Sequence, residues 1–182
     1  MRKILFLFVL VFISSTIFAQ KYISKTGHIW FFSHTPLEDI EAHNRQVVSI
    51  LDVSNGDLAF NLLIKSFEFK RALMQEHFNE NYMESDKIPK ATFKGKISNI
   101  NKVDFKKDGK YPVDISGDLT IHGVTKPFST VATIVIKSGV ITAKSNFAII
   151  PKDYNIIIPS LVENKIAKQI DTSVELSYTA NN

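Results

Sequence analysis

The sequence predicts an all-β domain of about eight antiparallel strands, closed as a barrel or folded as a two-sheet sandwich. Three observations lead there. Apolar and polar residues alternate over several stretches, the seven glycines lie mostly where those stretches end, and Asn55-Gly56, His122-Gly123 and Ser138-Gly139 each separate two strand-like runs. A two-residue hairpin loop of the primed type needs positive φ at its centre, which Gly adopts freely and Asn tolerates.

The elements follow in chain order. Residues 1 to 19 read as a secretory signal peptide: Arg2 and Lys3 give a positive start, Ile4 to Ile13 an apolar run, and Ser14, Ser15 and Thr16 lead to Ala19, after which cleavage is expected. The apolar run is shorter than the roughly 20 residues of a membrane span. Residues 20 to 182 then form one domain, since no repeat, low-complexity tract or linker divides them. A first strand is expected at about 26 to 34, followed by a short helix from Pro36 to His43. The Asn55-Gly56 turn pairs Val53 with Leu58, Leu51 with Phe60, Ser49 with Leu62 and Val47 with Ile64. A second helix runs from Arg71 to about Tyr82, where Leu73, Met74, His77, Phe78 and Tyr82 form a stripe at helical spacing.

A strand at 90 to 98 turns Ala91, Phe93, Gly95 and Ile97 inward. His122-Gly123 then pairs Ile121 with Val124, Leu119 with Lys126, Gly117 with Phe128 and Ile115 with Thr130. Ser138-Gly139 pairs Ile136 with Ile141, Ile134 with Ala143, Ala132 with Ser145 and Thr130 with Phe147. Both registers place Phe128, Thr130, Ala132 and Ile134 on one face, so the two hairpins merge into a three-stranded meander with a single interior. A last strand at 166 to 179 turns Ile170, Thr172, Val174, Leu176 and Tyr178 inward. Asp108-Gly109 is a further turn signal with no clean register.

Composition removes several function classes. The chain has no Cys, which excludes disulfide scaffolds, thiolate zinc sites, iron–sulfur clusters and a lipid-modified N-terminal Cys. The formal charge of +4 includes Arg2 and Lys3, so the chain after Ala19 has 20 basic groups against 18 acidic ones. No basic stripe of a nucleic-acid binder remains.

The inner face carries Gly95, Gly117, Ala132, Ala143, Ser145 and Ser49 among Phe60, Phe93, Leu119, Phe128 and Phe147. Side chains this small do not fill an eight-stranded barrel to native density unless large residues or the second helix cover the gap. An apolar cavity suited to a long hydrocarbon chain is the functional expectation. Its expected contacts are Phe60, Phe93, Leu119, Phe128, Ala132, Ile134, Ala143 and Phe147, with Leu73 and Phe78 closing it from the helix. Lys126, one pair in from its turn, either meets an anionic headgroup or lays its stem along the rim with its charge in water. His122 carries the same ambiguity.

Two other readings stand beside this one. A metal-dependent enzyme would use the histidines: His28, His34 and His43 are close in sequence, and Glu76, His77 and Glu80 share the helix. That helix lacks the two-His spacing of zincins and reverses the Glu-x-x-His order of di-iron bundles. An interaction module without small ligand would expose the apolar run Tyr154-Asn155-Ile156-Ile157-Ile158-Pro159, which otherwise serves as a strand end or as a gate over the cavity. No Gly-x-Ser-x-Gly elbow or phosphate-holding Gly-rich loop supports hydrolase or nucleotide chemistry.

The segment Lys65 to Gly95, KSFEFKRALMQEHFNENYMESDKIPKATFKG, followed by Gly117 to Phe128, GDLTIHGVTKPF, resembles the YceI-like family of exported proteins. The resemblance runs over nearly the whole chain after Ala19. It implies an extended eight-stranded antiparallel lipocalin-like barrel that holds a long isoprenoid-type lipid, a polyprenyl phosphate or a quinone tail, in an apolar tunnel. It also implies a periplasmic or secreted protein without catalytic activity or cofactor. The N-terminal segment, KTGHIWFFSHTPLEDIEAHN, departs from the plainer strand pattern of many members, so a different tunnel mouth is expected on that side. The oligomeric state stays open, a homodimer included.

Overall fold

The computed structural model describes residues 21–180, so the signal-peptide segment 1–19 lies outside the described residues. The strands are β1 (Lys21–His34), β2 (Asp39–Asp52), β3 (Asp57–Leu63), β4 (Glu68–Phe69), β5 (Lys90–Ile97), β6 (Gly109–Ile121), β7 (Val124–Lys137), β8 (Val140–Ile149) and β9 (Ile170–Ala180). Eight of them pair in the order β1-β9-β8-β7-β6-β5-β3-β2, and β2 pairs back onto β1. The result is a closed eight-stranded antiparallel barrel, and closure leaves the long strands no open edge. The two-residue β4 adds to β2, where Ala42 meets Phe69. Among the described residues one α-helix, α1 (Ala72–His77), continues as a π-helical turn through Tyr82.

The tight hairpins form as their turn residues dictate. His122 (φ 50°) with Gly123 (φ 74°), and Ser138 (φ 50°) with Gly139 (φ 79°), all take positive φ, as a type I′ loop requires. The β6–β7 register runs Ile121–Val124, Leu119–Lys126, Gly117–Phe128, Ile115–Thr130, as expected from the turn. The β7–β8 register also matches, except that its ladder stops at Ala132–Ser145, before Thr130 and Phe147.

Three local expectations are corrected. Pro36–His43 is not a helix. Thr35–Glu38 is a tight connection, in which the Glu38 N–H donates to Thr35 Oγ1 at 3.1 Å, and β2 begins at Asp39 paired with His34. The helical pattern misleads because β2 buries Asn44, a polar residue that interrupts apolar alternation; its Nδ2 donates to the Leu63 carbonyl at 2.9 Å. The first strand starts at Lys21 rather than near 26.

The third correction concerns Asn55-Gly56. The β2–β3 connection uses residues 53 to 56, with the Gly56 N–H donating to the Asp52 carbonyl at 2.8 Å, so Leu51 faces Leu58 and Ser49 faces Phe60. The register is displaced by two residues, which leaves every side chain on its expected face.

The paired glycines Gly95 and Gly117 are small for a different reason than an open interior. A Cβ on Gly95 would lie 2.4 Å from Phe93 Cζ and 2.3 Å from the Ser116 carbonyl oxygen, and one on Gly117 would lie 2.4 Å from Gly95 Cα. They let the backbones of β5 and β6 approach and a ring lie across them.

Candidate functional site: an apolar chamber at one end of the barrel

The interior is divided in two. One end is packed around Leu51, Val113, Ile134 and Ile141 and retains a void of only about 50 Å³. The other end opens into a chamber of about 470 Å³. Phe60 of β3 and Phe147 of β8 line both spaces. Ring contacts join them: Phe60 stacks on Phe93 at 5.4 Å, Phe93 meets Phe128 at 6.2 Å, and Phe128 meets Phe147 edge-on at 4.9 Å. Phe60 and Phe147 floor the large chamber, and Phe93 and Phe128 link them from the side of the small void.

Its walls are inward residues of the strands, including Ile29 and Phe31 of β1, Leu62 of β3, Ala91 of β5 and Leu119 and Ile121 of β6. Its roof has two parts. All five residues of the α1 stripe, Leu73, Met74, His77, Phe78 and Tyr82, face it. The segment between β8 and β9 contributes Pro151, Ile156, Ile158, Val162 and Ile166. Within the run Tyr154–Pro159, Tyr154 is buried, Ile156 and Ile158 face the chamber, and Ile157 is 81% exposed, so the run is mainly a cover.

Sequence reasoning missed a second aromatic group. Phe78 lies 5.7 Å from Phe31, 5.6 Å from Phe67 and 5.0 Å from Phe69, centroid to centroid, and ties the helix to β1 and to the β3–α1 connection. The alternation in Ser66-Phe67-Glu68-Phe69 is the signal that points to it.

The expected contact residues distribute unequally. Leu73, Phe78 and Leu119 line the large chamber, and Phe60 and Phe147 belong to both spaces. Phe93, Phe128, Ala132, Ile134 and Ala143 line the small void beneath the floor. Lys126 lines neither: its Nζ lies 3.4 Å from Asp153 Oδ1. His122 fastens the roof to the barrel, with Nδ1 3.3 Å from the Tyr154 carbonyl oxygen and Nε2 3.4 Å from Glu84 Oε2. The Glu84 carboxyl is held below its ordinary range, chiefly by the hydrogen bond and charge of Lys87 and less by His122.

Few polar groups reach the chamber. Ser33 Oγ accepts the Ala167 N–H at 2.9 Å, which tethers the covering segment to β1. Glu38 is paired with Arg71. His77 and Lys165 supply the remaining basic groups of the lining. Glu76 and Glu80 border a separate outer groove with Asn79, while His77 turns to the chamber, so this trio does not converge. Among the described residues no three His, Cys, Asp or Glu are placed to hold a metal. Among them, too, no helix is long and apolar enough to cross a membrane.

The YceI-like domain model matches residues 24–181. Solved structures share the fold at low identity. A polyisoprenoid binding domain from Saccharophagus degradans implicated in plant cell wall breakdown superposes with a TM-score of 0.77 at 16% identity, covering 90% of this chain and 99% of that one. Burkholderia cenocepacia BcnA gives 0.71 at 15% identity, over 84% and 96% of the two chains. A Campylobacter jejuni YCEI protein gives 0.61 at 18%, over 82% and 89%. No curated protein sequence matches this chain.

Proposed function

The chain belongs to the YceI-like domain family, and from that premise we propose that it is an exported, non-catalytic carrier that sequesters a long isoprenoid-type lipid, a polyprenyl phosphate or the tail of a quinone. The observation that carries this reading is the apolar chamber of about 470 Å³, which falls within the range of about 300–1,000 Å³ usual for small-molecule sites. Each methylene transferred into such a lining contributes about 0.8 kcal/mol, so a chain of several isoprene units needs no covalent attachment.

That a polyisoprenoid binding domain shares the fold favours an isoprenoid among apolar chains. In this reading Leu73 and Phe78 hold the chain from the roof, Leu119 from the wall, and Phe60 and Phe147 from the floor. Phe93, Phe128, Ala132, Ile134 and Ala143 support that floor from below. A headgroup at the mouth meets Lys165 and His77; Lys126 stays at the rim with Asp153. Residues 1–19 serve as the export signal.

The experiment is native mass spectrometry with lipid extraction on protein purified from its export compartment. A co-purifying isoprenoid is the expected result. Absence of any such lipid, with no uptake of added polyprenyl phosphate or quinone, would sink the carrier reading.

A further inference from the structure

On the outer wall of the barrel, away from the chamber, two histidines from neighbouring strands meet. His28 Nε2 of β1 lies 3.1 Å from His43 Nδ1 of β2, with the ring planes 23° apart. Two imidazole nitrogens bound to one metal at about 2.0–2.1 Å stand roughly 3.0–3.4 Å apart, so the pair already has the spacing of a chelate. Local chain geometry produces it. The β1–β2 register breaks between Gly27 and Ile29, and this bulge re-aims His28 toward a residue that is not its direct partner, since His43 pairs with Trp30.

The surroundings hold both rings in place. Trp30 stacks on His28 with centroids 4.5 Å apart. Glu41 Oε1 lies 3.3 Å from His43 Nε2, the nitrogen that faces away from His28. A carboxylate on the far nitrogen is the arrangement that fixes the tautomer and raises the basicity of metal-bound imidazoles. Across the barrel wall His28 pairs with Glu175, whose carboxylate is 3.0 Å from Lys144. Burial, then the charges of Arg45 and His43, hold the His28 pKa below its ordinary value against a smaller opposing effect of Glu175, so attraction for a cation rests on the two ring nitrogens and not on the local charge.

We propose that His28 and His43 chelate a divalent transition-metal ion, with Glu41 as the orienting carboxylate and water completing the coordination sphere. With imidazole donors alone, Cu²⁺ binds more tightly than Ni²⁺ or Zn²⁺. The proposal is independent of the lipid reading, because neither histidine lines the chamber.

The molecule supplies its own reporter, since Trp30 is the chain's one tryptophan. Titrating tag-free protein with CuCl₂ is expected to quench its fluorescence saturably at one equivalent, and electron paramagnetic resonance of that sample is expected to show coupling to two nitrogens. H28Q and H43Q each remove the saturable phase, E41Q weakens it about tenfold, and H34Q leaves it unchanged. Because H28Q disturbs the bulge, H43Q and E41Q carry the test if H28Q fails to fold. Quenching that never saturates, or that persists in H43Q with the same midpoint, overturns the proposal and leaves the pair as a hydrogen bond between strands.

Discussion

Phe60 and Phe147, on β3 and β8, each face both the large chamber and the small void, and the rings of Phe93 and Phe128 connect them into one layer. What lies above this layer is open space, and what lies below is packed core. Enlarging a side chain therefore has opposite consequences on the two sides. Ala91→Phe, on the chamber wall, is expected to abolish lipid uptake. Ala143→Phe fills a void of about 50 Å³ and is expected to cost about 1–3 kcal/mol of stability with uptake retained. Native mass spectrometry and thermal denaturation of the two variants check this; uptake lost in Ala143→Phe at unchanged stability would place the ligand below the floor.

The cover over the chamber is held to β1 by the hydrogen bond from the Ala167 N–H to Ser33 Oγ. Ser33→Ala leaves that part-buried N–H without its acceptor, at a cost of about 0.5–1.5 kcal/mol. The loss is local to a segment with little regular structure, so it should appear as faster amide exchange over residues 155–168 and faster lipid release rather than global unfolding. Hydrogen exchange by mass spectrometry with and without lipid reads both effects.

Tyr178 hydroxyl and Ser49 hydroxyl meet at 2.8 Å inside the packed end, while Ser49 donates to the Ala59 carbonyl at 2.9 Å. Burial pushes the phenol well above its ordinary value, against a smaller opposing effect of the Ser49 hydrogen bond. The folded state thus retains a proton that the unfolded state releases near pH 10. Its contribution to stability is complete below that pH and is lost as pH rises further. Tyr178→Phe is expected to flatten the fall of the melting temperature above pH 10, and absorbance at 295 nm should show Tyr178 ionising only as the wild-type protein unfolds.

Gly117 and Gly95 face each other across β5 and β6 with no room for a Cβ. At Gly117 the obstructing atoms, on Gly95 and Lys94, are all backbone, so relaxation of a side chain does not relieve the clash. Gly117→Ala is expected to destabilise the barrel by at least about 1–3 kcal/mol, measured by urea denaturation; a change below about 0.5 kcal/mol would show that the two strands separate at little cost.

Much of the barrel was legible because its information is local. The β6–β7 and β7–β8 registers follow from two-residue turns whose central residues must take positive φ, and alternation then assigns each side chain a face. The helix stripe was equally legible, since 3.6-residue spacing places Leu73, Met74, His77, Phe78 and Tyr82 together wherever the helix packs. The β2–β3 register was not, because a four-residue connection replaces the expected two-residue turn while Gly56 keeps its positive φ in either case. The strand at Asp39 was hidden by Asn44, whose buried amide donates to a carbonyl 19 residues away and accepts the Gln46 N–H.

By itself the sequence determined that strands alternate an aromatic and small-residue face with a polar one, and that an amphipathic helix accompanies them. Only the tertiary structure decided where the interior is full and where it is open. Phe93, Phe128, Ala132, Ile134 and Ala143 share an inward face with Leu119 and Phe147, yet most of them close the barrel and the others border the chamber. The physical reason is that strand periodicity fixes the side of the sheet on which a residue lies. Depth along the barrel axis depends on which distant segments arrive there, here α1 and the stretch from Pro151 to Ile166.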